Sequence, residues 1–81
     1  MNVLYKNDEE VDEFYTKISR NIKTNINKLG LSQLLFSQNV GFNSVSYYCD
    51  CENRKNSKHF NLIHVVKIAK FLDVDINKLL V

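Results

Sequence analysis

The sequence predicts an all-α domain of five helices joined by short links. Apolar residues recur at steps of three and four positions through most of the chain, which is the spacing of one face of a helix. The chain contains no proline and only two glycines, so few positions interrupt a helix. With 81 residues, of which 44% are hydrophobic, it is long enough for one small core. We therefore interpret residues 1–81 as a single domain.

The first helix is predicted to be long and to begin in an acidic segment. It runs from an N-cap at Asp8 to about Lys28, and Gly30 closes it. Residues 1–16, which hold five of the nine acidic residues and one of the eleven basic ones, form an acidic N-terminal extension of this helix. Residues 1–7 are expected to be a disordered tail or a strand-like arm. Three apolar residues of the extension are expected to pack either on a partner subunit or on this one: Val11, Phe14 and Tyr15.

A second helix and a tight turn follow over residues 31–44. Ser32 is the predicted N-cap, since its hydroxyl can accept an N–H that the helix start leaves unpaired. Gly41 is expected to adopt a positive φ at the turn, where Phe42 fills the gap between two helices. Leu34 and Leu35 are more apolar than a solvent-facing first turn requires. We expect either the first helix or a protein interface to cover one of them.

The third helix is predicted over about Ser44–Glu52, with Asn43 or Ser44 at its start. Tyr48 and Cys51 lie about one turn apart on its inner face, with the Tyr48 hydroxyl expected to reach solvent and Cys49 expected to be exposed. Two helices in this arrangement are typical of a helix-turn-helix, whose second helix lies in the DNA major groove.

A fourth and a fifth helix complete the chain. Asn61 or Ser57 is the predicted cap of the fourth helix, which Asp73 ends. Asp75 is expected to cap a last short helix that contains Ile76, Leu79 and Leu80.

The charge distribution favours a polyanionic partner. The net charge is +2, but residues 1–16 carry −4 and residues 17–81 carry +6. Residues 53–59 are a polar, basic connection without an apolar residue, suited either to solvent or to phosphate contacts. The function predicted from charge alone stays open, because small domains also use net charge for solubility.

Several other functions are not expected from the sequence. Two cysteines, Cys49 and Cys51, with His59 and His64 do not match the common zinc-finger spacings, so we expect no metal and no cofactor. No nucleophile motif or glycine-rich phosphate loop is present, so we predict neither an enzyme nor a small-molecule substrate. No apolar stretch approaches the length of a membrane span, and we expect a cytoplasmic protein without membrane contact.

The chain resembles the phage-repressor-like helix-turn-helix family, of the Xre or Cro/repressor type, over about residues 18–80. The resemblance rests on Ile18 and Ile22-Lys23, on the run Lys28-Leu29-Gly30-Leu31-Ser32-Gln33, on Phe36-Ser37 and Val40-Gly41, and on the ending KIAKFLDVDINKLL over residues 67–80. It differs from the family pattern by one inserted residue at Phe42–Asn43 and by a longer link to the fourth helix.

The resemblance implies a five-helix, lambda-repressor-like domain that binds double-stranded DNA sequence-specifically. Such proteins regulate transcription, usually as repressors that bind a two-fold symmetric operator as dimers. By position, Gln33 then contacts the backbone or a base at the start of the second helix. The residues that reach base edges are Asn43, Ser44, Val45, Ser46 and Tyr47. Those expected on phosphates are Asn53, Arg54 and Lys55, with Lys58 adding positive charge. The alternative is a protein-interaction module on the same helical fold that binds no DNA.

Overall fold

Five helices in the computed structural model, which describes residues 8–81, follow the predicted order. They are α1 (Asp8–Leu29), α2 (Gln33–Asn39), α3 (Val45–Asn53), α4 (Leu62–Leu72) and α5 (Asn77–Leu80). The prediction of an all-α domain with a long first helix of 22 residues is confirmed. The lead that we predicted over residues 1–7 lies outside the described residues. Within 8–81, no helix has both the length and the apolar composition needed to cross a lipid bilayer.

The helix ends follow the local signals in the sequence. Ser32 Oγ accepts the Leu35 N–H at 3.1 Å, and Ser44 Oγ accepts the Tyr47 N–H at 3.0 Å. Gly41 has a φ of +82°, which an L side chain adopts only with strain. The predicted caps of α2 and α3 and the turn between them are therefore confirmed.

The fourth helix begins and ends as predicted. Asn61, rather than Ser57, caps α4 by accepting the His64 N–H at 2.9 Å, and His64 Nδ1 accepts the Asn61 N–H in return. Asp73 ends α4 with a φ of 55°. The last helix starts later than predicted, because Ile76 is its N-cap and not its first turn. Asp75 Oδ1 still accepts the Asn77 N–H at 2.8 Å, from one position before that cap.

The core lies where α1 crosses α3 and α5. α1 packs against both of these helices, and α2 packs against α3. Only the later part of α1 enters this core, since residues 9–14 are all exposed. Apolar side chains with less than a tenth of their surface exposed form the core: Ile18, Ile22, Ile26, Phe36, Val40, Tyr48, Cys51, Phe60, Val65, Ile68, Ala69 and Leu79.

Two polar side chains, one buried and one half-buried, join α1 to the elements around it. Ser19 Oγ donates to the Cys51 carbonyl at 2.9 Å, which links α1 to α3. Asn21 Nδ2 donates to the carbonyls of Leu79 and Val81 at 3.0 and 3.2 Å, which links α1 to the end of the chain. These bonds satisfy carbonyls near the ends of α3 and α5.

The apolar surface that the sequence left unassigned stays exposed. Leu34 and Leu35 are each 50% exposed, so α1 covers neither of them. Val11 and Phe14 are also largely exposed, whereas Tyr15 is half-buried against the core. Of Val11, Phe14 and Tyr15, only Tyr15 packs against the buried core.

Candidate nucleic-acid interface

A buried aromatic cluster holds α3 on its inner face. The ring centroid of Tyr48 lies 5.5 Å from that of Phe36, 5.1 Å from that of Phe42 and 5.6 Å from that of Phe60. Tyr48 and Cys51 have no exposed surface, which confirms that both lie on the inner face of α3. Because these rings come from α2, the turn and the loop before α4, they fix how α3 sits against its neighbours.

The Tyr48 hydroxyl does not reach solvent, and this prediction was wrong. It donates to Glu52 Oε2 at 2.7 Å in the interior, where Glu52 itself is only 6% exposed. Burial, followed by this hydrogen bond, raises the pKa of Tyr48 above its usual range. The hydroxyl is therefore a fixed donor to Glu52.

Gln33, the first residue of α2, completes the same network. Its Nε2 donates to Glu52 Oε1 at 2.7 Å. Since the Glu52 carboxylate accepts from both side chains, it orients the Gln33 amide and leaves the Gln33 carbonyl oxygen pointing away from this bond. Gln33 is exposed, so this oxygen is open to solvent or to a ligand.

The first turn of α3 lies at the surface. Asn43, Ser44 and Ser46 are exposed, and Val45 is half-buried. The Ser44 hydroxyl oxygen accepts from Tyr47 N–H, but its own hydrogen stays free to donate. Hydroxyl and amide groups of this kind can bond either base edges or phosphates.

Tyr47 is half-buried in a ring of mixed character. Phe42 lies 5.9 Å away on one side, the His64 ring packs edge-on at 5.9 Å, and Lys58 Nζ lies 5.8 Å from the Tyr47 ring centroid. Burial raises the pKa of Tyr47, so its hydroxyl is protonated at neutral pH. The sequence predicted positive charge beside α3, and the contact between Lys58 and Tyr47 places part of it at the first turn of this helix.

The side chains at the end of α3 and just after it are of two kinds, exposed lysines and polar groups that are bonded within the chain. Lys55 and Lys58 are exposed. Asn53 is exposed too, but its Nδ2 donates back to the Cys49 carbonyl at 3.0 Å. Arg54 is turned toward α1, where it forms an ion pair with Asp12, and its side chain is 17% exposed. Of the residues predicted on phosphates, the two lysines have their charged groups most accessible.

The position of Lys67 at this surface was not predicted from the sequence. Lys67 Nζ lies beside the turn, 4.0 Å from the position that a Cβ on Gly41 would occupy. Asp50 accepts from Asn56 Nδ2 at 3.2 Å, so this carboxylate next to Cys49 is partly occupied. Cys49 is half-buried rather than exposed as we predicted, because it lies at the edge of the core. Helical spacing describes only neighbours within one helix, so it could not show that Lys67 on α4 lies close to Gly41.

No metal site is apparent in the part of the chain that the structure describes, since no three His, Cys, Asp or Glu side chains converge there. Comparisons with known protein families, with curated proteins and with solved structures each found no match to this chain.

Proposed function

We propose that this protein is a sequence-specific regulator of transcription, a repressor that binds double-stranded DNA through a helix-turn-helix formed by α2 and α3. The observation that carries the proposal is the surface at the start of α3. There Ser46 is exposed beside Tyr47, and the Lys58 ammonium group lies next to the Tyr47 ring. The resemblance to phage-repressor-like domains supports the same function.

In this proposal the first turn of α3 enters the major groove. Ser46 and Tyr47 hydrogen-bond base edges or pack on a thymine methyl group, together with Asn43, Ser44 and Val45. Gln33, oriented by Glu52, presents its carbonyl oxygen to a base or its remaining N–H to a phosphate. Lys55 and Lys58 neutralise phosphates and set the register of the protein on the duplex. No cofactor and no catalysis are part of the proposal.

The proposed regulator binds as a homodimer on a two-fold symmetric operator. Two α3 helices in successive major grooves must then lie about 34 Å apart. Sedimentation should show self-association at high micromolar concentration or on operator DNA. A strictly monomeric protein on a single half-site would contradict the dimer and leave the groove contacts to be judged separately.

Selection from random duplex DNA tests the function directly. We expect enrichment of a palindromic sequence, whose affinity is then measured by fluorescence anisotropy at several salt concentrations. Lys55→Ala should weaken binding to all sequences and lower the slope of log affinity against log salt by about 0.9. Ser46→Ala should instead change which operator is preferred.

Lys23→Ala is the matched control, because Lys23 is an exposed lysine on α1, outside the proposed surface. It should leave operator preference and salt slope near those of the unmodified protein. Failure to enrich any sequence, together with equal effects of Lys23→Ala and Lys55→Ala on bulk DNA, would contradict the proposal.

A protein-interaction module is the second candidate, supported by one observation. Leu34 and Leu35 on α2 each expose half of their surface, and Phe14 on α1 is 42% exposed. In that case Leu34→Ser and Leu35→Ser should abolish partner capture, while charge removal at Lys55 has no effect. The two functions thus predict opposite responses: an interaction module loses binding when the two leucines are changed, and a DNA-binding protein loses it when Lys55 is changed.

A further inference from the structure

The loop between α3 and α4, residues 54–61, carries Lys55 and Lys58 and has a strained backbone conformation. Arg54, Asn56 and Ser57 adopt positive φ angles of 57°, 56° and 59°, and none of them is glycine. Each such residue is strained relative to its relaxed conformation. Contacts elsewhere must therefore hold this loop.

Most of the polar contacts of the loop are local. The Lys55 N–H donates to the Asp50 carbonyl at 2.8 Å, and the Lys58 N–H donates to the Lys55 carbonyl at 2.9 Å. The Asn56 amide bonds the Asp50 carboxylate. These bonds join the loop to the end of α3 but not to any other helix.

Arg54 joins the loop to α1. Its Nη1 donates to the Lys58 carbonyl at 3.1 Å, and its Nη2 pairs with the Asp12 carboxylate. The guanidinium carbon lies 5.7 Å from the centroid of the Tyr15 ring. His59, from the same loop, stacks on Tyr15, and the two ring centroids lie 3.8 Å apart. The Arg54 guanidinium therefore links α1 to the backbone of Lys58.

We infer that Asp12 is a positioning residue for the DNA contacts of Lys55 and Lys58. Through Arg54 it holds the loop at the height of the first turn of α3, so that both ammonium groups face phosphates. The inference rests on the proposed DNA-binding function. This role gives Asp12 a favourable effect on DNA binding. Its negative charge alone would have the opposite effect, because a carboxylate close to a polyanion lowers affinity by repulsion.

The sign of the effect therefore tests the inference. Asp12→Asn removes one negative charge and the ion pair, and it should lower DNA affinity by about two- to fivefold, the range of a partly exposed ion pair. The salt slope should fall as well, because Lys55 and Lys58 no longer hold fixed positions on the phosphates. Asp12→Glu, which keeps the carboxylate, should restore part of the loss.

Glu13→Gln is the matched control, since Glu13 is an exposed carboxylate on the same turn of α1. It removes the same charge but should raise DNA affinity slightly or leave it unchanged. Equal increases in affinity for Asp12→Asn and Glu13→Gln would overturn the positioning role, because they would mean that repulsion alone accounts for Asp12.

A measurement without DNA separates this inference from the proposed function. Amide hydrogen exchange of Lys58, followed by NMR, should accelerate about two- to fivefold in Asp12→Asn and stay unchanged in Glu13→Gln. Unchanged exchange in Asp12→Asn would overturn the inference even if DNA binds. Faster exchange combined with no DNA binding by any variant would overturn the proposed function, and the role of Asp12 would then be limited to holding the loop.

Discussion

Glu52 attaches α3 to α2, and Arg54, the residue directly after α3, attaches it to α1. These two attachments differ in their exposure to water. Glu52 is 6% exposed and accepts from two side chains, one of which, Tyr48, is fully buried. The attachment to α1 pairs Arg54 with Asp12, whose side chain is 68% exposed. Both are polar contacts between distant parts of the sequence, but only the first lies in a low-dielectric interior.

The difference indicates separate roles for the two attachments. Removing one partner from a buried network leaves unpaired polar groups without water, whereas water replaces a lost partner at the surface. The Glu52 network should therefore control whether α2 and α3 keep their arrangement. The Arg54 contact should control where the following loop lies, at little cost in global stability.

The largest effect is expected from Tyr48→Ala. It removes a fully buried ring and the donor to Glu52, and it should lower the free energy of unfolding by about 3–5 kcal/mol. Urea denaturation followed by circular dichroism measures this. Tyr47→Ala, at the half-buried neighbouring tyrosine, is the control and should cost about 1 kcal/mol. Similar costs for the two variants would mean that the inner face of α3 is placed incorrectly.

Glu52→Ala should cost less, about 1–3 kcal/mol, because the Tyr48 hydroxyl then lies buried without an acceptor. Gln33→Ala removes only the exposed member of the network and should cost below about 1 kcal/mol. Thermal unfolding compares the two variants. If Gln33→Ala were as destabilising as Glu52→Ala, burial would not be what distinguishes this attachment.

The Arg54–Asp12 pair should contribute below about 1 kcal/mol to stability, as measured by a double-mutant cycle with Arg54→Ala and Asp12→Asn. This coupling should vanish in about 1 M salt, since screening weakens exposed pairs. The coupling between Tyr48 and Glu52, measured in a parallel cycle, should persist. A salt-resistant Arg54–Asp12 coupling would contradict the contrast between the two attachments.

The smallest effect is expected from pH, at His64. Burial first, then Lys67 and His59, lowers the pKa of His64 below its usual 6.5, and its Nδ1 accepts a backbone N–H that an imidazolium could not. The unfolded chain therefore binds this proton more readily than the native one. Stability should be complete above the unfolded pKa and fall as the pH drops below it.

Denaturation midpoints at about pH 7.5 and about pH 5 measure this dependence for the native sequence and for His64→Gln. The variant keeps a capping side chain that does not titrate, so it should lose part of the pH dependence. An unchanged pH dependence in His64→Gln would assign the effect to other groups.

The elements that were predicted correctly depend on short stretches of sequence. Ser32 and Ser44 cap the helices that follow them, and Gly41 supplies a positive φ, because each of these signals acts within a few positions. The helix order and the burial of Tyr48 and Cys51 follow from periodicity in the same way. These local rules were sufficient for the coarse fold.

The parts that could not be predicted depend on contacts between distant residues. Glu52 bonds Gln33, which lies 19 positions away, and Arg54 bonds Asp12, which lies 42 positions away. The direction of the Tyr48 hydroxyl was predicted wrongly although its acceptor, Glu52, lies only one turn away on the same helix, because helical spacing does not show that a glutamate carboxylate is buried. The placement of the two lysines depends on the same tertiary contacts, and therefore the candidate surface was predicted as a set of residues but not as a geometry.

The reactivity of the Cys51 thiol measures how often α3 separates from the segment before α4. Its Sγ donates to the His59 carbonyl at 3.4 Å, and burial raises its pKa, so that it carries little of the reactive thiolate in the folded protein. An alkylating reagent can reach it only when α3 separates from the segment before α4. Mass-spectrometric counting of alkylated Cys51 over time, with Cys49 replaced by serine, would report the frequency of that separation.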